Sequence, residues 1–230
     1  MQPKDSYRNR ELYESRTACQ PSVRVVFFIL LGLVFHCFLL YKTESGYATA
    51  LAGHRAVILL GAIMEFIIRE ALAEDAEQII AYTKAVGGET DNLTFGKSGF
   101  PITLEQEKEF LKRVHDNRTS IHLVACKNGK IIGDGSLSGL PRRMCHRAEL
   151  GLTVRRNYWN QGIGSMILKE LIKYAKVNGI EIINLEVRSD NLNAIHLYEK
   201  FGFRHIGTSP AYFNIDGHYI DFEIMYLDLR

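Results

Sequence analysis

Cysteine is scarce: the 230-residue chain has four, Cys19, Cys37, Cys126 and Cys145. They are too few and too scattered for a disulfide framework, and no pair has the two-residue spacing of a zinc knuckle or a redox motif. They read as free thiols in a reducing compartment. Excess charge is missing too. The formal net charge is +2, with 7 Lys/Arg against 4 Asp/Glu in residues 1–63 and 21 against 22 in residues 64–230. A body so close to neutral lacks the clustered positive charge that a nucleic-acid backbone demands, so no nucleic-acid partner is expected. The histidines His115, His122, His146, His196, His205 and His218 share no zinc-like spacing, and HExxH does not occur, so no metal is expected. No internal repeat is visible. What is present, 47% hydrophobic and 23% charged residues, is the composition of an ordinary globular protein. The length fits one large domain, or one domain with an appendage.

The single long apolar run is residues 25–41, VVFFILLGLVFHCFLLY, which carries no formal charge. As a helix it spans roughly 26 Å, slightly short of the roughly 30 Å hydrocarbon core of a bilayer. Lys4, Arg8, Arg10, Arg16 and Arg24 precede it, a bias that keeps the N-terminus cytoplasmic and exports the downstream chain. Residues 1–63 therefore form an N-terminal appendage with three readings. Either Met64 is the working start, or the run is a membrane anchor whose domain faces the cytosol against that charge bias, or Ala48–Ala52 is a cleavage region of a secreted product. The first makes the protein cytoplasmic, and a membrane partner is expected only if residues 25–41 are retained.

Residues 64–230 read as one domain with the order β-α-α-β-β-β-α-β-α-β-β. Glu65–Arg69 suits a short strand and Ala73–Val86 an amphipathic helix with Ala76, Ile79, Ile80 and Thr83 on its apolar face. Thr103 and Gln106 make a capping box for a helix through Val114. Asn128-Gly129 between two apolar runs is a hairpin signal, and Asp216-Gly217 marks another turn. Arg147–Val154 is a strand, Ser165–Lys176 a helix with Ile167, Leu168, Leu171 and Ala175 on one face, Ile180–Arg188 a strand and Asn191–Lys200 a helix. The fold class is α/β, a mixed central sheet of about seven strands flanked by about four helices.

Between strand and helix lies Trp159-Asn160-Gln161-Gly162-Ile163-Gly164-Ser165, two glycines where backbone N–H groups can meet an anion unobstructed. The dinucleotide-fold fingerprint fails here, because Ile167 stands where its third glycine belongs. Together with the run from Leu185 to Phe203, LEVRSDNLNAIHLYEKFGF, this segment closely resembles the GNAT superfamily of acetyl-CoA-dependent N-acyltransferases, from about Met64 to Leu229. Within that superfamily the ending is similar to ribosomal-protein-alanine and small-amine acetyltransferases. The family pattern is Arg/Gln-x-x-Gly-x-Gly/Ala, and Trp159 departs from it at the first position.

The resemblance implies acetyl-CoA as co-substrate, with no metal. Leu152, Thr153 and Val154 correspond to a splayed strand end that pairs with the pantetheine arm. Asn160, Gln161, Gly162, Ile163, Gly164 and Ser165 correspond to the pyrophosphate cradle, and Asn191 to a further cofactor contact. Arg155 and Arg156 add charge nearby. Tyr198 holds the position of the general acid, and main-chain N–H groups near Leu152–Val154 that of the oxyanion donor. Glu186 and Glu149 compete for general base. The plainer alternatives are a helix tyrosine packed on the sheet, and sheet glutamates paired to Arg147 or Arg188. The implied activity is acetyl transfer to a primary amine, whether a protein N-terminus, a polyamine or another small amine. The alternatives are a catalytically silent acyl-CoA-binding module and a membrane-tethered enzyme. Acceptor choice falls to the segments Gly87–Ile102, Ser138–Arg147 and Tyr212–Tyr219. Arg142, Arg143 and Arg147 suit an anionic acceptor, and Glu89, Asp91 and Asp216 an ammonium. A homodimer through the last strands is a further expectation of the resemblance.

Overall fold

The computed structural model describes the backbone of residues 37–43 and 46–52, and residues 66–230. The chain divides into two compact units, Met1–Ile67 and Ile68–Arg230. In the first, β1 (Cys37–Thr43) pairs antiparallel with β2 (Gly46–Ala52), Tyr41 opposite Ala48. Residues 37–41 of the apolar run are thus strand instead of helix, their main-chain bonds going to a partner strand. Its residues 25–36 lie outside the described residues. Among the described residues no helix is long and apolar enough to cross a membrane.

The second unit follows the order read from the sequence. Its elements are β3 (Ile67–Glu70), α1 (Ala76–Gly87), α2 (Leu104–His115), β4 (Ile121–Lys127), β5 (Lys130–Gly139), β6 (Arg147–Val154), α3 (Ile163–Val177), β7 (Ile182–Arg188), α4 (Leu192–Lys200), β8 (Arg204–Ile215) and β9 (His218–Asp228). The seven strands form one sheet in the order β3-β4-β5-β6-β7-β9-β8, with helices on both faces. Local chemistry accounts for the punctuation. Asn128 and Gly129 both take positive φ (51° and 73°), the two-residue turn that matches strand twist, and Asp216 and Gly217 repeat it (51° and 85°). Thr103 and Gln106 make both bonds of the capping box that opens α2. The first turn read as part of α1 is instead a 3-10 turn, Ala73–Asp75, where the Asp75 carboxylate accepts the Leu72 N–H and pairs with Arg69.

Strand alternation sorts β5 between two layers. Gly133 and Gly135 face α3, while Asp134 faces the α1 side, where its charge acts on Tyr82. Ile167, Leu168, Leu171 and Ala175 are fully buried, as their helical spacing requires. A Cβ on Gly135 would come within 2.4 Å of Ile167 Cγ2, so glycine is what lets α3 approach the sheet. Gly135→Ala is expected to destabilise the domain by about 1–3 kcal/mol through overpacking, read from chemical denaturation. A shift below about 0.5 kcal/mol would show that α3 has room to move.

Candidate active site

The site originates in a split of the sheet. β6 pairs with β5 along its whole length, Ala148 opposite Gly139 to Val154 opposite Gly133. It pairs parallel with β7 only over Arg147–Glu149. Beyond that point β7 stays with β9 as far as Arg188, and the two strands part. The hydrogen bonds Leu140 N–H to Arg147 O and Arg155 N–H to Ile132 O fix the parity of the β5–β6 ladder. Odd-numbered residues of β6 direct their main-chain groups to β5, and even-numbered ones direct theirs toward β7. Leu150, Leu152 and Val154 therefore offer amide groups to the opening. Thr153 is committed elsewhere: its main chain serves β5, and its hydroxyl bonds the Tyr82 hydroxyl at 2.8 Å. The Val154 carbonyl is also taken, by the Trp159 indole N–H at 2.7 Å, which leaves the Val154 N–H.

Two cavities meet at this split. The first, of 270 Å³, runs beside Trp159, Asn160, Gly162, Ile163, Gly164 and Ser165 to Leu152, Val154 and Asn191. At its end α3 begins without a side-chain cap, and the left-handed Asn160 (φ 59°) and Gly162 (φ 81°) turn the loop into the helix. The N–H groups of Ile163, Gly164 and Ser165 are left for an anion, at the positive end of a helix of 15 residues. These features fit a diphosphate at the helix start, and the open β6 edge suits an amide-bearing chain. Gln161 turns its carboxamide to the Asn157 carbonyl at 2.9 Å and does not line the cavity. Trp159, the family departure, lines it and carries the Arg156 guanidinium 5.6 Å from its ring. Arg155 is held by Glu89 at 2.7 Å. Gly162 has nothing within 4 Å of a would-be Cβ, so its φ alone demands glycine. Gly162→Ala is expected to weaken CoA binding by up to about tenfold, the left-handed conformation costing an L-residue about 1–2 kcal/mol. Calorimetry with CoA measures it, and unchanged affinity with unchanged Tm would show that the turn tolerates a side chain.

The second cavity, of 890 Å³, shares Leu152, Thr153, Asn191 and Tyr198 with the first and extends across the sheet. Asn191 caps α4, its side-chain oxygen accepting the Ala194 N–H at 3.3 Å. Tyr198, on α4, is buried and lines both cavities. Its ring lies 5.6 Å from that of Phe203, and its hydroxyl makes no hydrogen bond among the described residues. Burial pushes its pKa up to about 12. Glu186 lines the second cavity. Glu149, opposite Asn184, occupies the same face of the neighbouring strand but not the lining. Partial desolvation, then the charge of Glu149, raises the pKa of Glu186. Neither glutamate takes the arginine partner open to it in sequence: Arg147 bonds Asn184 at 2.6 Å and Arg188 pairs with Asp190 at 2.6 Å. Residues 138–147, with Arg142 and Arg143, contribute nothing to either lining, whereas the 87–102 loop supplies Leu93, Phe95, Phe100 and Ile102, and β8 supplies Tyr212 and Phe213.

Several lining residues have no signal in the sequence. Tyr82 on α1, and His122 with Asp134 on β4 and β5, reach the cavity only through the packing of α1 and α2 on the sheet. Burial alone would lower His122, but Asp134 holds its pKa above the usual value by charge and hydrogen bond, aided by Glu107 and Asp75. Among the described residues no three His, Cys, Asp or Glu side chains are grouped to hold a metal ion.

A mixed sheet split beside an uncapped, glycine-opened helix, with a second cavity meeting the split, is the arrangement expected of an acyltransferase that draws on a CoA thioester. The sequence pattern of the Acetyltransferase (GNAT) family matches residues 90–203. The chain is 33% identical over 115 residues to the L-amino acid N-acetyltransferase AaaT of Escherichia coli, covering 48% of this chain and 69% of that protein. It is 32% identical over 98 residues to the N-alpha-acetyltransferase RimI of Mycobacterium tuberculosis, covering 42% and 60%. Among solved structures, a GNAT-family acetyltransferase of Streptococcus pneumoniae superposes with a TM-score of 0.70 at 33% identity, covering 72% of this chain and all of that one. The chain belongs to the GNAT acetyltransferase family, and it is an acetyl-CoA-dependent N-acyltransferase.

Proposed function

We propose that the protein transfers the acetyl group of acetyl-CoA to a primary amine of a small molecule or peptide by direct attack in the split between β6 and β7. The observation that carries this reading is the confluence of the two cavities at Leu152, Asn191 and Tyr198. Acetyl-CoA supplies an activated carbonyl there. The chain's own groups do the rest. Glu186, open to the acceptor cavity, takes a proton from the incoming ammonium, directly or through water. The Leu152 N–H, unpaired at the strand edge, donates to the carbonyl oxygen as negative charge develops on it. Tyr198, kept protonated by its burial, donates the hydroxyl proton to the departing sulfur. Asn160, Gly162, Ile163, Gly164 and Ser165 hold the diphosphate, and Asn191 fixes the start of α4 and thereby the placement of Tyr198. Acetylation of an amine panel by the purified chain, with release of free CoA, tests the reading; CoA binding without transfer to any amine would refute it.

The base assignment has a pH signature. Glu186 acts only when ionised, and its pKa is raised, so activity falls as pH drops through a value above that of an ordinary glutamate. Glu149→Gln removes the neighbouring negative charge and is expected to move this acid limb to lower pH in a plot of kcat/KM against pH. The acceptor's own ionisation is common to both enzymes and cancels in the comparison. Coincident profiles would separate Glu149 from the base.

A further inference from the structure

The end of the acceptor cavity beneath α2 holds charge that acyl transfer does not use. Glu107 is 7% exposed and lines the cavity, yet its carboxylate has no hydrogen-bond or ion-pair partner among the described residues. Its oxygens keep access to the cavity, and partial burial raises the pKa of Glu107. Beside it His122, 8% exposed, bonds Asp134 through Nε2 while its Nδ1 has no partner. Deeper still, Arg69 and Asp75 neutralise each other at 2.6 Å. Two carboxyl groups, Glu107 and Asp134, thus meet a single imidazole at this end. Arg113, the other charged group lining this end, is exposed. Phe95, Phe100 and Phe110 line the same end, with the first two rings 4.3 Å apart. Aromatic faces attract cations.

Sheet register sets the lateral scale between His122 at this end and the open edge of β6. His122 is opposite Ser136, and Ser136 is opposite Gly151, which adjoins Leu152. Two strand spacings amount to about 10 Å. We infer that Glu107, backed by the His122–Asp134 pair and walled by Phe95, Phe100 and Phe110, forms a cation subsite. It binds an ammonium or guanidinium group of the acceptor, about 10 Å from the amine that is acetylated. The inference rests on the acyl-transfer reading and narrows it: the acceptor is elongated and cationic at both ends. Its far cation supplies the counter-charge that Glu107 lacks and stacks on the phenylalanine wall.

The test compares 1,8-diaminooctane with octylamine on the full chain, by kcat/KM with acetyl-CoA and by calorimetric titration into the CoA-saturated protein. The diamine is expected to be favoured by about tenfold or more in both measurements, and Glu107→Gln is expected to bring that preference to within about twofold of unity. Equal affinity of the two amines for the wild-type protein overturns the subsite without depending on any variant, as does a preference that survives Glu107→Gln. Glu107-dependent binding of the diamine with no acetylation of either amine would refute the transfer reading while leaving the subsite in place. Equal acetylation and equal binding of both would do the reverse.

Discussion

Tyr198→Phe is expected to lower kcat by roughly 10- to 1,000-fold while CoA affinity stays within about twofold. The hydroxyl has no partner among the described residues, so its loss strands no buried group and leaves the ring packed against Phe203. The change therefore reports on chemistry and not on folding. With a pKa of about 12 the phenol keeps its proton across the accessible pH range, as a donor to a leaving thiolate must. Stopped-flow or coupled assay of thiol release measures the effect, with calorimetry as the control. A variant that turns over at the wild-type rate would reduce Tyr198 to a helix tyrosine packed on the sheet.

Glu186→Gln is expected to lower kcat/KM by about 10²- to 10⁴-fold near neutral pH, where the acceptor amine is mostly protonated and must be relieved of a proton. The deficit shrinks as pH rises, because the free amine then forms without help. That dependence distinguishes a lost base from a distorted cavity, which would depress the rate evenly across the profile. Loss from Glu149→Gln with full activity in Glu186→Gln would exchange the roles of the two carboxylates. Their placement favours the first outcome: Glu186 is on the cavity wall with Tyr212 and Arg188, and Glu149 acts on it only through charge.

Much of the framework is legible in the sequence because its causes are local. The Asn128-Gly129 and Asp216-Gly217 turns need residues that accept positive φ, and the Thr103/Gln106 box needs only four consecutive positions. The face of α3 comes from a 3.6-residue period. The α1 face is less legible: Tyr82 is buried where Ile80 and Thr83 are only half-buried, and its hydroxyl meets that of Thr153, a residue 71 positions away. Gln161, expected in the cradle, turns to Asn157 instead, and Trp159 takes a place on the cavity wall through its bond to the Val154 carbonyl.

By itself the sequence determined the order of elements and the glycine-opened start of α3, since each is a matter of neighbours along the chain, while the candidate acid Tyr198 and the pair of candidate bases came from its resemblance to a family. Only the tertiary structure decided that β6 and β7 part after Glu149, which of the two glutamates lines the larger cavity, and that Glu107, His122 and Asp134 gather at the far end of that cavity. Those outcomes depend on which strands compete for a shared edge and which helix face lands on which register. Such contacts join residues tens of positions apart, and no short stretch of sequence encodes them.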